Sequence, residues 1–129
     1  MAVFTLNKKV DYGLSLLSWL VKHPDSRVSL HQFSKLGLPR AFTAQIARKL
    51  VIAKILAVRE GQGGGYILAA SPAKISLRQV LEALDGPISL VNCDPCPAKQ
   101  HCRQKNFMWG LTSMLHKTLA KKTLADLCL

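Results

Sequence analysis

Hydrophobic positions fall at helical spacing from the start of the chain: Val10, Leu14, Leu17 and Val21 recur every three or four residues, and Pro24 stops the run. Ser29 then precedes Leu30, Phe33 and Leu36, with Gln32 where a side-chain carbonyl can reach back to the Ser29 amide, so a short second helix is predicted. It ends at Gly37. Pro39 suits the first turn of a third helix, on which Phe42, Ile46 and Leu50 share one face.

Beyond Lys54 the period changes. Residues 55–59 and 66–69 are β-prone and flank Glu60-Gly61-Gln62-Gly63-Gly64-Gly65, which predicts a hairpin with a glycine-rich tip. Ser76 and Gln79 repeat the capping-box spacing, and Leu77, Val80, Leu81 and Leu84 give the following helix an apolar face before Gly86-Pro87 ends it. From about residue 106 to 121, Met108, Leu111, Leu115 and Thr118 or Leu119 form an apolar stripe on a long helix, whose expected destination is a partner helix. His116 on that helix reads as a surface residue. The expected fold is mainly α with a small β-hairpin: a winged helix-turn-helix over residues 1–90, a cysteine loop over 91–105, and a dimerisation helix with a tail over 106–129.

Charge turns this architecture toward a partner. Among 129 residues, 18 Lys and Arg face 7 acidic residues, a net +11, which favours a polyanion. Nucleic acid leads, ahead of an anionic membrane surface. In a winged helix-turn-helix the second helix of the turn enters the major groove and the hairpin touches backbone or minor groove. Pro39, Arg40, Ala41, Ala44, Gln45 and Arg48 are the expected contacts from the helix, with Arg59, Gln62, Gly63 and Gly64 from the wing. The Gln45 amide can pair with adenine, either arginine with guanine or phosphate, and the alanines permit close approach or meet a thymine methyl. A charge run such as Arg40, Arg48 and Lys49 is ordinarily a solvated face, and the glycines equally suit a loose turn. No lysine-serine ending follows them and no helix begins there, which argues against a nucleotide-binding P-loop.

Cys93, Cys96 and Cys102 crowd into one segment with Cys-x2-Cys-x5-Cys spacing, while Cys128 stands near the C-terminus, a poor arrangement for disulfide staples. Three thiolates in one loop suit a soft metal centre, and Lys99, Arg103 and Lys105 favour the thiolate form. An iron-sulfur cluster, zinc and a bare thiol switch all remain open. For zinc, His101 would complete Cys3His, against the strain of adjacent residues sharing one metal. Cys128 reads as a terminal hydrophobe. Lys8 and Lys9 precede an apolar stretch over residues 12–21, but it has no small-residue cleavage site, runs into His23-Pro24-Asp25 and is too short to span a bilayer, so a soluble cytoplasmic protein away from membranes is expected. An electron carrier would not need the basic helix-turn-helix, and Cys93-x2-Cys96 lies outside any βαβ pattern, so no enzyme is expected.

Several blocks together resemble the Rrf2 family of bacterial transcription regulators: Asp11-Tyr12-Gly13-Leu14, Gly61-Gln62-Gly63-Gly64-Gly65-Tyr66-Ile67-Leu68, Leu81-Glu82-Ala83-Leu84-Asp85-Gly86-Pro87, the cysteine loop with Trp109 beyond it, and Thr123-Leu124-Ala125-Asp126-Leu127. The resemblance spans nearly the whole chain. It implies a homodimer on a palindromic double-stranded DNA operator, RNA polymerase as a further candidate partner, and an iron-sulfur cluster, [2Fe–2S] ahead of [4Fe–4S], tuning DNA affinity. In IscR-like members a His lies three residues beyond the last Cys, where this chain has Lys105, an ammonium that cannot ordinarily coordinate iron. In NsrR-like members a helix-one Asp from the other subunit is a ligand, and Asp11 falls on that position. The implied metal site is therefore Cys93, Cys96, Cys102 and Asp11, with His101 as second choice for the fourth ligand. The wing also departs from IscR-like members, with Glu60 where they carry Arg and Arg59 one residue earlier. Ala44 replaces an acidic reader.

Overall fold

The computed structural model describes residues 7–24, 27–35, 37, 39–61, 64–90 and 103–127, Phe33 by its backbone alone. Helix α1, Lys8–Lys22, starts where the Asn7 side chain accepts from the Val10 amide at 3.0 Å. Its buried residues are Val10, Gly13, Leu16, Leu17 and Leu20, so the core stripe is rotated from the expected one, and Leu14 and Val21 are only half-buried. The rotation has a packing cause: α1 is approached from several sides, and a Cβ on Gly13 would stand 2.4 Å from Leu84 Cδ1. Sequence periodicity sees one face and does not register a glycine that lets a second helix come close.

Helix α2, Leu30–Lys35, carries the expected capping box: the Ser29 amide donates to Gln32 Oε1 at 2.9 Å, and the Gln32 amide to Ser29 Oγ at 3.3 Å. Helix α3, Arg40–Ile52, begins after Pro39, which sits at the N-cap one residue earlier than expected and accepts on its carbonyl from the Thr43 amide and hydroxyl. Ile46 and Leu50 are buried with Thr43 and Ala47, while Phe42 meets Tyr12 of α1 edge-on at 5.5 Å.

A turn through Lys54, held at φ 64°, leads into β1, Leu56–Arg59, which pairs antiparallel with β2, Gly65–Leu68, in the register Leu56 to Leu68 and Arg59 to Gly65. Val28 extends the hairpin by exchanging backbone hydrogen bonds with Tyr66. A short 3-10 turn, Pro72–Lys74, leads to α4, Leu77–Asp85, where both halves of the Ser76/Gln79 capping box form and Val80 and Leu84 are buried. Gly86, at φ 85°, ends that helix.

Helix α5, Lys105–Lys121, is followed by α6, Leu124–Leu127. The C-terminal segment returns to the body: the Leu77 amide donates to the Lys122 carbonyl at 2.9 Å and the Leu124 amide to the Ile75 carbonyl at 3.0 Å. Leu124 is fully buried in one core cluster with residues of α1, α3, β1 and α4. The architecture is mostly helical with a two-stranded antiparallel hairpin, as the sequence predicts. No described helix is long and apolar enough to cross a membrane.

Candidate nucleic-acid interface and the surface beside the cysteines

The outer face of α3 is set by its inner one. With Thr43, Ile46, Ala47 and Leu50 turned inward, the helical repeat leaves Arg40, Ala41, Gln45 and Arg48 exposed, Ala44 half-buried, and Pro39 exposed at the cap. The side chains of Arg40, Gln45 and Arg48 have no hydrogen-bond or ionic partner among the described residues. Two cations and an amide are thus presented without internal commitments, on a helix whose N-terminus also lacks a side-chain cap. Such a face can bond base edges and phosphates without first breaking protein contacts. Ile52 is 72% exposed at the far end of the same helix. Sequence reading missed it, because an isoleucine at the end of an apolar stripe looks like core.

Lys49 belongs elsewhere. Its Nζ donates to the Leu84 carbonyl at the end of α4, at 3.4 Å.

In the wing, Arg59 is exposed at the end of β1 and its side chain has no hydrogen-bond or ionic partner among the described residues. Gln62 and Gly63, the other expected contacts from its tip, lie outside the described residues. Gly64 has a structural reason to be glycine, since a Cβ there would come within 2.3 Å of the Arg59 carbonyl and 2.8 Å of the Gly61 carbonyl. The hairpin itself requires it, whatever approaches from outside.

Cys93, Cys96, Cys102 and His101 lie outside the described residues, as does Cys128. The segment leading to the cysteines is described up to Leu90, and it is fastened to α5. Nε2–H of His116 donates to the Ile88 carbonyl, and the Leu90 amide donates to Thr112 Oγ1 at 3.3 Å, while that hydroxyl donates to the Met108 carbonyl at 2.9 Å. His116 is therefore half-buried and engaged, not the surface residue its polar position suggested. Thr112, buried to 2% exposure, carries no sequence signal beyond its placement on the helix. Lys105, where a fourth ligand would fall by analogy with IscR-like regulators, is the half-buried first residue of α5.

Asp11 is exposed on α1 and its carboxylate has no partner among the described residues. It lines an open groove of about 390 Å³ with Leu14, Ser15, Ser18, Trp19, Lys22 and Leu127. Among the described residues no three His, Cys, Asp or Glu side chains come together as a metal site.

The outward side of α5 carries large exposed apolar residues among polar ones. Met108, Leu111, Leu115 and Leu119 are half-buried, whereas Phe107 is 68% and Met114 65% exposed. The most exposed apolar residues of α5 are thus Phe107 and Met114, beside the expected stripe of Met108, Leu111, Leu115 and Thr118 or Leu119, whose apolar members are half-buried because α5 turns that edge toward its own body.

Against known proteins, the family described as Rrf2, iron-dependent transcriptional regulator, matches residues 6–129. The HTH-type transcriptional repressor NsrR of Streptomyces coelicolor is 25% identical over 128 residues, 95% of this chain and 86% of that protein. The solved structure of CymR, titled the global cysteine regulator of Bacillus subtilis, superposes with a TM-score of 0.77 at 27% identity, covering 98% of this chain and 97% of that one. The structure of T. potens IscR gives a TM-score of 0.76 at 24% identity over 96% of this chain and 85% of its own, a likeness of fold.

Proposed function

The chain belongs to the Rrf2 family of DNA-binding transcriptional regulators, a family of regulators and not of enzymes, and from that premise we propose that it acts in the cytoplasm as a homodimer on a palindromic operator, its affinity set by the state of the Cys93, Cys96 and Cys102 loop. The observation that carries the reading is the uncommitted outer face of α3, with Arg40, Gln45 and Arg48 exposed and unpartnered among the described residues. In this reading α3 lies in the major groove, with Ala41 and the half-buried Ala44 allowing close approach. Pro39 and the α3 N-terminus face phosphate, and Arg59, Gln62, Gly63 and Gly64 of the wing follow the backbone.

The donor chemistry fits an iron-sulfur cluster. Three thiolates would supply soft ligands, and Asp11, whose carboxylate has no partner among the described residues, would supply the fourth from the second copy. When bound, such a cluster supplies a centre that responds to redox state, nitric oxide or iron supply. The chain's own residues do the rest: His116 and Thr112 hold the segment before the thiolates on α5, so a change in the loop is felt where two copies meet. A coupling of about 1–3 kcal/mol, roughly 5- to 150-fold in affinity, suffices for regulation. A second reading, zinc or a thiol switch in place of the cluster, is favoured by Lys105 at the position of the IscR-like histidine.

The test is anaerobic purification with absorption spectroscopy and iron and sulfide analysis, followed by titration of loaded and metal-free protein on a duplex selected from a random pool by the wild-type protein. Iron and sulfide with a visible chromophore and unequal affinities are expected. Colourless protein that cannot be reconstituted would leave the zinc or thiol reading. Equal affinities would remove the switch, and failure to select any duplex sequence would remove the reader.

A further inference from the structure

The C-terminal turn of α4 touches helix α3 and leads, along the chain, into the segment that precedes the cysteines. The last carbonyls of a helix have no amide partner within it and carry the negative end of its dipole, so a cation placed there satisfies both. Helix α4 has no basic residue in its own last turn. The cation comes from the recognition helix instead, where Lys49 Nζ reaches the Leu84 carbonyl at 3.4 Å. The Leu84 side chain is buried to 1% exposure beneath Gly13, so this turn has little room to shift without moving α1 or α3. Just beyond, Ile88 and Leu90 are bonded by His116 and Thr112 of α5, and Cys93 follows three residues after Leu90.

We propose that Lys49 is a positioning residue, tying α3 to the α4 C-terminus so that a change in the thiolate loop displaces the recognition helix through residues 84–90. This rests on the reading of the loop as a switch. Lys49 is thereby removed from the DNA-contacting cations on either side of it, Arg48 and the wing's Arg59, and assigned to transmission. The contact requires a donor at the end of a long side chain. Arg can supply one and Met cannot.

Full-length wild type, Lys49→Met and Lys49→Arg are compared in two states, anaerobically cluster-loaded and metal-free, on the duplex selected by the wild-type protein. Two quantities are read: the ratio of affinities between states with its salt dependence, and amide hydrogen exchange of residues 40–52 and 84–90. In the wild type the ratio should lie in the range of about 5- to 150-fold, and removing the metal should change exchange in both segments. Lys49→Met should bring the ratio to within about twofold of unity, keep the salt slope, and confine the exchange response to residues 84–90. Lys49→Arg should retain the wild-type ratio.

A Lys49→Met protein that keeps the ratio overturns the proposal while leaving the switch intact. Equal weakening of both states with a salt slope lower by about 0.9 per copy would make Lys49 a phosphate contact instead. A wild-type protein with equal affinities and no exchange response in residues 40–52 overturns the switch and the coupling together. The exchange arm on the wild type needs no variant to fold.

Discussion

Helices α3 and α5 both begin without a side-chain cap and both leave one face outside the core, yet the two faces have opposite chemistry. On α3 the exposed side chains are mostly polar, Arg40, Gln45, Arg48 and Lys49 beside Ala41 and a terminal Ile52, with no acidic residue on the helix. On α5 the most exposed apolar side chains, Phe107 and Met114, share a face, with exposed Lys117 and Lys121 further along the helix. Burying the α5 face excludes water from apolar surface, which gains strength with area. Burying the α3 face is favourable only against a partner that carries negative charge and hydrogen-bond acceptors. One chain therefore presents two surface chemistries that conditions can separate.

Salt gives the largest separation. Arg40, Arg48 and Arg59 are three cations per copy, six in a dimer, and a protein making about six phosphate contacts should lose roughly a thousandfold in affinity for duplex DNA between 50 and 200 mM salt. Self-association through α5 should strengthen over the same range, because the copies are cationic and salt screens their repulsion. Sedimentation and DNA titration across the series check both signs. A dimer that weakens in parallel with DNA binding would place a polar interface where the apolar one is expected.

Substitution on α5 comes next. Phe107→Glu with Met114→Glu removes the two most exposed apolar side chains of that helix from both copies, and each buried side chain of this size contributes about 1.5–3 kcal/mol. The dimer dissociation constant should rise at least about a hundredfold, read by sedimentation, with the far-ultraviolet spectrum unchanged. A dimer that persists would mean that another surface joins the copies. On α3 a smaller and more selective effect is expected: Gln45→Ala should cost about 1–3 kcal/mol at one base position per half-site and little elsewhere. Uniform weakening across sequences would move Gln45 from the bases to the backbone.

Legibility in the sequence followed the reach of each signal. The Ser29/Gln32 and Ser76/Gln79 boxes form as expected because a cap depends on three residues and the backbone between them. The hairpin was legible from its glycines and β-prone flanks, and the α3 outer face followed from Ile46 and Leu50 turning inward. The faces of α1 and α5 were read with a rotation, since which edge of a stripe meets the body depends on distant elements: Leu84 against Gly13 in one case, the 88–90 segment against Thr112 and His116 in the other. For the same reason the sequence did not show that Lys49, a surface charge as read, reaches a carbonyl, or that His116, read as a surface histidine, is half-buried against one. Their partners are backbone carbonyls 35 and 28 residues away, and a carbonyl leaves no mark in a sequence.

The smallest effect tests where the cationic surface ends. Arg59 lies on β1, outside α3, and its partner across the hairpin is Gly65, so it has no cross-strand side chain to pack against. Arg59→Ala should therefore leave the unfolding transition in place and act only on DNA. Removing one phosphate-binding cation from each copy lowers the salt slope by about 0.9 per copy, equally for matched and mismatched duplexes. A slope that does not change would confine the DNA surface to α3 and make the wing a structural brace, held by the Val28 to Tyr66 hydrogen bonds and by the close backbone approach at Gly64. An effect limited to one sequence would instead set Arg59 against a base edge in the minor groove, where its charge reads groove width as well as the base.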